Sequence, residues 1–150
     1  MSFKVDISGS GKRLAYSWAL AAATWADEVE PLALDAIKAE APVGQGQNAG
    51  RLRESIRADR EVTDATATIT FTANVPYAGY VVDGTAPHVI EPRSAQALHW
   101  VGPSGGVFAK LVHHPGTRPD GFAARALTPL MSIIQARLET AVQEQLDASE

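Results

Sequence analysis

The stretch TATITFTA, residues 66 to 73, constrains this fold more than any other part of the sequence. Ala67, Ile69, Phe71 and Ala73 alternate strictly with Thr66, Thr68, Thr70 and Thr72. A period of two places the apolar set on one face of a β-strand and the threonines on the other. Such a strand needs neighbours to pair with and something wide to cover its apolar side.

Two long helical stripes supply the cover. From Arg13 to Ala41, Leu14, Trp18, Trp25, Val29, Ala33 and Ile37 recur at three- and four-residue steps, the spacing of an amphipathic helix. Pro31 falls inside it, so the helix either bends there or restarts with proline in its first turn. From Phe122 to Leu146, Leu127, Leu130, Met131, Ile134, Leu138 and Val142 mark a second helix, with Pro129 after Thr128 as a kink or capped restart. Phe3, Val5 and Ile7 alternate as an opening strand, and Val89-Ile90, Ala97 to Val101 and Val107 to His114 add further strands. The last two are joined by the hairpin-like loop Gly102 to Gly106. Leu52 and Ile56, four apart in RLRESIRADR, give a short helix with Arg53, Arg57 and Arg60 on another face. PVGQGQNAG, residues 42 to 50, consists of turn formers and reads as a flexible loop. The expected fold is α+β over residues 1 to 150: a single domain with an antiparallel sheet packed against a long N-terminal and a long C-terminal amphipathic helix.

Composition narrows the chemistry. The 150 residues include no cysteine, which excludes disulfides, thiolate metal sites and cysteine nucleophiles and points to a reducing cytoplasm. The opening MSFKVDISGSGKRL lacks an apolar core of signal-peptide length, and the Ala-rich stretch near Trp18 to Trp25 is too short to span a bilayer. The expectation is a soluble, unexported chain with no membrane partner. A formal net charge of −4 gives no general attraction to nucleic acid.

Several local patterns invite a chemical reading. His88, His99, His113 and His114, with Asp83 or Asp120, offer metal ligands. Adjacent residues of a strand point to opposite faces, however, so His113 and His114 cannot share an ion while that strand continues. None of the paired spacings of zinc sites is present. Ser104 sits in a Gly-rich loop, but between two strands and after proline, unlike a nucleophile elbow. Gly9 to Arg13 has glycines and a lysine without P-loop spacing. No catalytic, cofactor-binding or metal residue is assigned, and an enzyme is not expected. Arg51, Arg53, Arg57 and Arg60 form the one basic cluster, but Glu54, Asp59 and Glu61 lie among them, which favours a solvated face over a phosphate contact. Tyr77 and Tyr80 make an aromatic turn suited to an interface or to packing within the domain.

Taken in order, APVGQGQNAGRLRESI, VPYAGYVVDGTAPHVIEPRSAQALHW and GGVFAKLVHHPGTRPDGFAARAL resemble the gene-product-ten-like family of long-tailed bacteriophages and prophages. The resemblance spans Ala41 to Leu127. Gly84 and Thr85 match its Gly-Thr segment, and His114, Pro115, Gly116 and Thr117 match the turn that leads to a Phe, here Phe122, and a final helix. It implies a tail-completion or head-to-tail joining protein of the virion neck, made in the host cytoplasm. The expected assembly is a ring of copies of itself, six in number, between the head connector and the tail terminator or tube, with DNA passing through the lumen without sequence-specific binding. Arg51, Arg53, Tyr77 and Tyr80 are the candidate subunit or partner contacts. Residues 44 to 49 lengthen one loop relative to the family pattern. A tail terminator is the alternative within this class; a metal-dependent hydrolase using the histidines and a DNA-binding module using the arginines are the alternatives outside it.

Overall fold

The computed structural model describes residues 1–8, 15–63 and 66–148. In chain order the elements are β1 (Ser2–Ser8), α1 (Ala15–Glu40), α2 (Arg51–Ser55), β2 (Ile56–Val62), β3 (Thr66–Ala73), α3 (Ala78–Val82), β4 (His88–Ile90), β5 (Leu98–Gly102), β6 (Gly105–Ala109), β7 (Val112–His114), α4 (Phe122–Leu127) and α5 (Met131–Asp147). The chain is mixed helix and antiparallel sheet, as expected. The expected single sheet is instead three: β1-β3-β2, β4-β7 and β5-β6. The chain divides into two compact units, Met1–Ala78 with Gly121–Glu150, and Gly79–Asp120. The connection proposed at Gly9 to Arg13, and Leu14, lie outside the described residues.

In the first unit β3 is the central strand, antiparallel to β1 and β2. Ala67, Ile69, Phe71 and Ala73 are buried, while the threonines between them stay partly or fully exposed, so the alternation in the sequence is the alternation in the sheet. α1 meets β2 and β3 and also α4 and α5. Its buried residues Ala21, Ala22, Trp25, Ala26, Val29, Ala33 and Ile37 are largely small, which lets neighbouring backbones approach closely. The helix runs unbroken through Pro31. Pro31 is exposed, so the Asp27 carbonyl that it deprives of a helical donor can be satisfied by water. The Trp25 indole is fully buried, and its N–H donates to the Ile134 carbonyl of α5 at 3.1 Å. That bond lets α5 lie along α1 without an orphaned donor.

The short helix expected across RLRESIRADR ends at Ser55, and Ile56–Val62 is strand. Its register against β3 pairs Ile56 with Ala73, Ala58 with Phe71, Arg60 with Ile69 and Val62 with Ala67. Those four share the apolar face, and pairing along a whole strand outweighs the helix propensity of Arg, Glu and Ala. Arg57 and Arg60, read as helical neighbours, therefore fall on opposite faces of the sheet. The final helical stripe is likewise two pieces: α4, a 3-10 turn at Thr128–Leu130 that contains Pro129, and α5. No side-chain cap marks the restart.

In the second unit β4 and β7 pair His88 with His114, Val89 with His113 and Ile90 with Val112. β5 and β6 form a hairpin turning through Pro103 and Ser104. The strand expected over Val107 to His114 is thus two strands belonging to two different sheets. Every residue from 79 to 120 is described, and none is buried.

Candidate functional site

Gly84, Thr85, His114, Pro115, Gly116 and Thr117 meet at one corner of the second unit. Gly84-Thr85 and Gly116-Thr117 lie antiparallel. The Thr85 N–H donates to the Thr117 carbonyl at 3.0 Å, and the Thr117 N–H returns to the Thr85 carbonyl at 3.1 Å. The hydroxyls add a contact of 3.1 Å, and the Thr117 N–H also reaches Thr85 Oγ1 at 3.0 Å. Both glycines have positive φ, +70° at Gly84 and +85° at Gly116, and a Cβ on either would run into the backbone of the opposite segment. Glycine is required twice over, by dihedral and by space. Pro115, without an N–H, ends the β7 ladder beside the turn.

The histidines belong to the same corner. His114 Nδ1 accepts the Gly116 N–H at 3.1 Å, which places the proton of the neutral ring on Nε2. His88 Nδ1 donates to the Ala86 carbonyl at 2.9 Å, and the two rings lie 4.9 Å apart at 31°. His113 is paired with Val89 and, as the next residue along β7, faces the other side. His99 is stacked on Phe108 at 4.4 Å. Among the described residues no three His, Asp or Glu side chains gather into a metal-binding group. Beside the corner an open depression of about 570 Å³ is lined by Tyr80, Gly84, Thr85, Ala86 and His88. Its lining offers a phenol, a hydroxyl and an imidazole. The Asp120 N–H ties the end of the corner to the Val81 carbonyl of α3 at 3.0 Å.

The remaining candidates are scattered. Phe122 is fully buried in the first unit, a core residue. Arg53 donates from Nη2 to the carbonyls of Ala39 and Ala41, each at 3.1 Å, and so closes the C-terminal end of α1, where carbonyls lack helical donors. Arg51 donates to Asn48 Oδ1 at 2.8 Å, at the end of the 42–50 segment. That segment holds a 3-10 turn at Gly46–Asn48 and is closed by the Gly50 N–H on the Val43 carbonyl at 2.7 Å. Arg57 donates to the carbonyls of Glu54 and Ile56. Arg60 pairs with Asp27 and lies 3.9 Å from Glu30; the hydrogen bond and charge of Asp27 hold its guanidinium pKa above the usual value. The basic cluster is therefore divided between α2, which carries Arg51 and Arg53, and β2, which carries Arg57 and Arg60, each arginine on an acceptor of this chain. Tyr77 is half-buried and Tyr80 is exposed.

The β5–β6 hairpin is the one expected from the sequence, but the exposure of its apolar side chains is a feature that residue-by-residue reading does not show. Trp100, Val101, Val107 and Phe108 are all exposed. Its signal in the sequence is the absence of any Asp, Glu, Lys or Arg between Arg93 and Lys110. No described helix is long and apolar enough to cross a membrane. Compared with protein-family models, curated proteins and solved structures, the chain matches none.

Proposed function

We propose that this chain is a non-enzymatic structural protein of a tailed-phage virion, acting at the head-tail junction. There, copies of it form a ring, six in number on the family pattern, that joins the head connector to the tail and leaves a lumen for DNA. The observation that carries this reading is the convergence of Gly84, Thr85, His114, Pro115, Gly116 and Thr117 on one backbone corner. Two motifs that carry the resemblance, about thirty residues apart in the sequence, are two halves of one structural device. The corner's bonds are backbone and hydroxyl bonds that hold shape, as suits a protein whose work is assembly. The engagement of Arg53, Arg57 and Arg60 by acceptors of this chain, with the net charge of −4, supports passage of DNA without specific binding.

The test is deletion of the gene from its phage, with the products of infection imaged by negative-stain electron microscopy. Filled heads lying apart from tails of normal length are the expected result. Tails of uncontrolled length move the assignment to a tail terminator, and normal infectious particles remove the virion reading altogether.

A further inference from the structure

We infer that His88 and His114 form a proton-operated latch on the Gly-Thr corner, closed while both imidazoles are neutral and opened when His114 takes up a proton. The latch bridges a gap in the backbone ladder. Thr85 pairs with Thr117 and His88 with His114, in one register. At the matching step between them stand Pro87 and Pro115, neither of which has an N–H to give. Thr85 and Thr117 exchange both of their N–H bonds, so Ala86 and Gly116, one step along, turn their backbone groups away from each other. The imidazoles meet those groups instead: His88 Nδ1–H donates to the Ala86 carbonyl at 2.9 Å, and His114 Nδ1 accepts the Gly116 N–H at 3.1 Å. Side chains thus hold the stretch that the prolines leave without ladder bonds.

The two bonds fix opposite protonation. A carbonyl only accepts, so His88 carries its proton on Nδ1 and keeps a lone pair on Nε2. An amide N–H only donates, so His114 keeps its lone pair on Nδ1 and carries its proton on Nε2. A further proton on His88 goes to Nε2 and leaves the Ala86 bond in place. A further proton on His114 has only Nδ1 to go to, where it faces the Gly116 N–H, and that bond is lost. His114 is half-buried and its ring lies 4.9 Å from that of His88, so two imidazoliums would also repel each other. His88 therefore takes the first proton without disturbing the corner, and the second opens it.

The opened chain accepts both protons and the closed corner only one, so acid favours opening. The corner's stability is complete above the pH at which free histidine charges, about 6.5, and falls as pH drops through that range. The charged and titratable groups of the adjoining segments are Asp83, Glu91, Lys110, His113, Arg118 and Asp120, and His113 points to the opposite face of β7. Among the described residues none of these ion-pairs with either imidazole, and the ring contact of each imidazole is the other. Gly84, Thr85, Ala86 and His88 also line the depression beside Tyr80, so its wall is released with the corner. The latch is independent of the assembly role proposed above.

Amide exchange of the full chain, read residue by residue by nuclear magnetic resonance and corrected for the intrinsic pH dependence of exchange, tests it. Between about pH 7.5 and about pH 5.5, protection at Thr85, Gly116 and Thr117 is expected to fall by about tenfold, one proton's worth of linkage. Protection at Trp25 and Phe71 in the first unit is expected to stay constant. His114→Asn offers an amide oxygen where Nδ1 stood and cannot titrate, so its corner is expected to stay protected at both ends of the range. The imidazole nitrogen spectra of the unaltered chain are expected to show, at the neutral end, His114 protonated at Nε2 and His88 at Nδ1. Protection that does not change with pH overturns the inference. So does the parent's pH dependence surviving in His114→Asn, an equal loss at Trp25, or a neutral His114 protonated at Nδ1. Should the variant lose protection at every pH, the nitrogen spectra decide: corner opening that follows the protonation of His114 sustains the latch, and opening that follows His113 or a carboxylate overturns it.

Discussion

The two units of this chain are held by opposite means. Met1–Ala78 with Gly121–Glu150 buries Trp25, Phe71 and Phe122 completely and draws its stability from apolar area removed from water. Gly79–Asp120 has no fully buried residue, turns its largest apolar side chains outward, and is ordered by short ladders and by glycines placed where only glycine fits. Core and corner are different solutions to chain entropy: the first fills space, the second restricts the backbone. The difference predicts that the first unit tolerates changes at its surface and the second tolerates almost none at its turns.

The comparison breaks most visibly at Trp25. Trp25→Ala empties a fully buried site and is expected to cost about 3–5 kcal/mol, seen as loss of the cooperative melting transition or a fall of many degrees in it. Trp25→Phe keeps most of the volume but leaves the Ile134 carbonyl without the indole donor, for about 1–3 kcal/mol. If the Ala variant melts like the parent, the first unit is not organised around this residue.

Gly116→Ala is the matching change in the second unit. The positive φ and the Thr85 backbone opposite leave no room for a methyl group, at a local cost of about 1–3 kcal/mol. Faster amide exchange at Thr85 and Thr117 is expected, with the melting of the first unit unmoved. A shared loss of stability would show that the two regions fold as one.

The same contrast explains what the sequence made legible. Thr66 to Ala73 could be read residue by residue because strict alternation is a local signal and the structure keeps it. Ile56 to Val62 reads locally as helix because Leu52 and Ile56 are four apart and Arg60 interrupts the alternation of a strand. Only the register against β3 shows that Arg60 occupies an apolar-face position and reaches Asp27 across α1. The Gly-Thr turns were visible as turns, but their pairing joins residues 32 apart, and no local pattern encodes it. The hairpin's exposure was hidden for another reason: alternating apolar residues look the same whether the chain or a partner covers them.

Arg53 sharpens the comparison inside the first unit, where a charged side chain takes over a backbone task. Arg53→Ala removes both donors from the Ala39 and Ala41 carbonyls, an expected loss of about 1 kcal/mol with fraying confined to the last turn of α1. Arg53→Lys keeps the charge but not the planar fork, so it should restore part of that loss. Amide exchange in residues 37 to 41 is the readout. A full loss of Arg51-side loop order with no change at the helix end would mean that the guanidinium serves the loop instead.

The smallest expected effect lies at Arg60. Its pKa is raised by the Asp27 carboxylate, so whatever stability the pair contributes is fully present below the unfolded-state pKa of arginine and is lost only as pH climbs through the higher folded value. Across the pH range in which the protein is handled, Arg60→Gln should therefore show no pH dependence of its own. Salt is the sensitive variable, because both side chains of the pair are about half or more exposed, 47% and 63%, and exposed pairs are screened. The small gap in melting temperature between parent and variant should close as salt is added. A gap that persists in high salt would mean that Arg60 acts through its packing against α1, and the apolar-face position that its register assigns would then matter more than its charge.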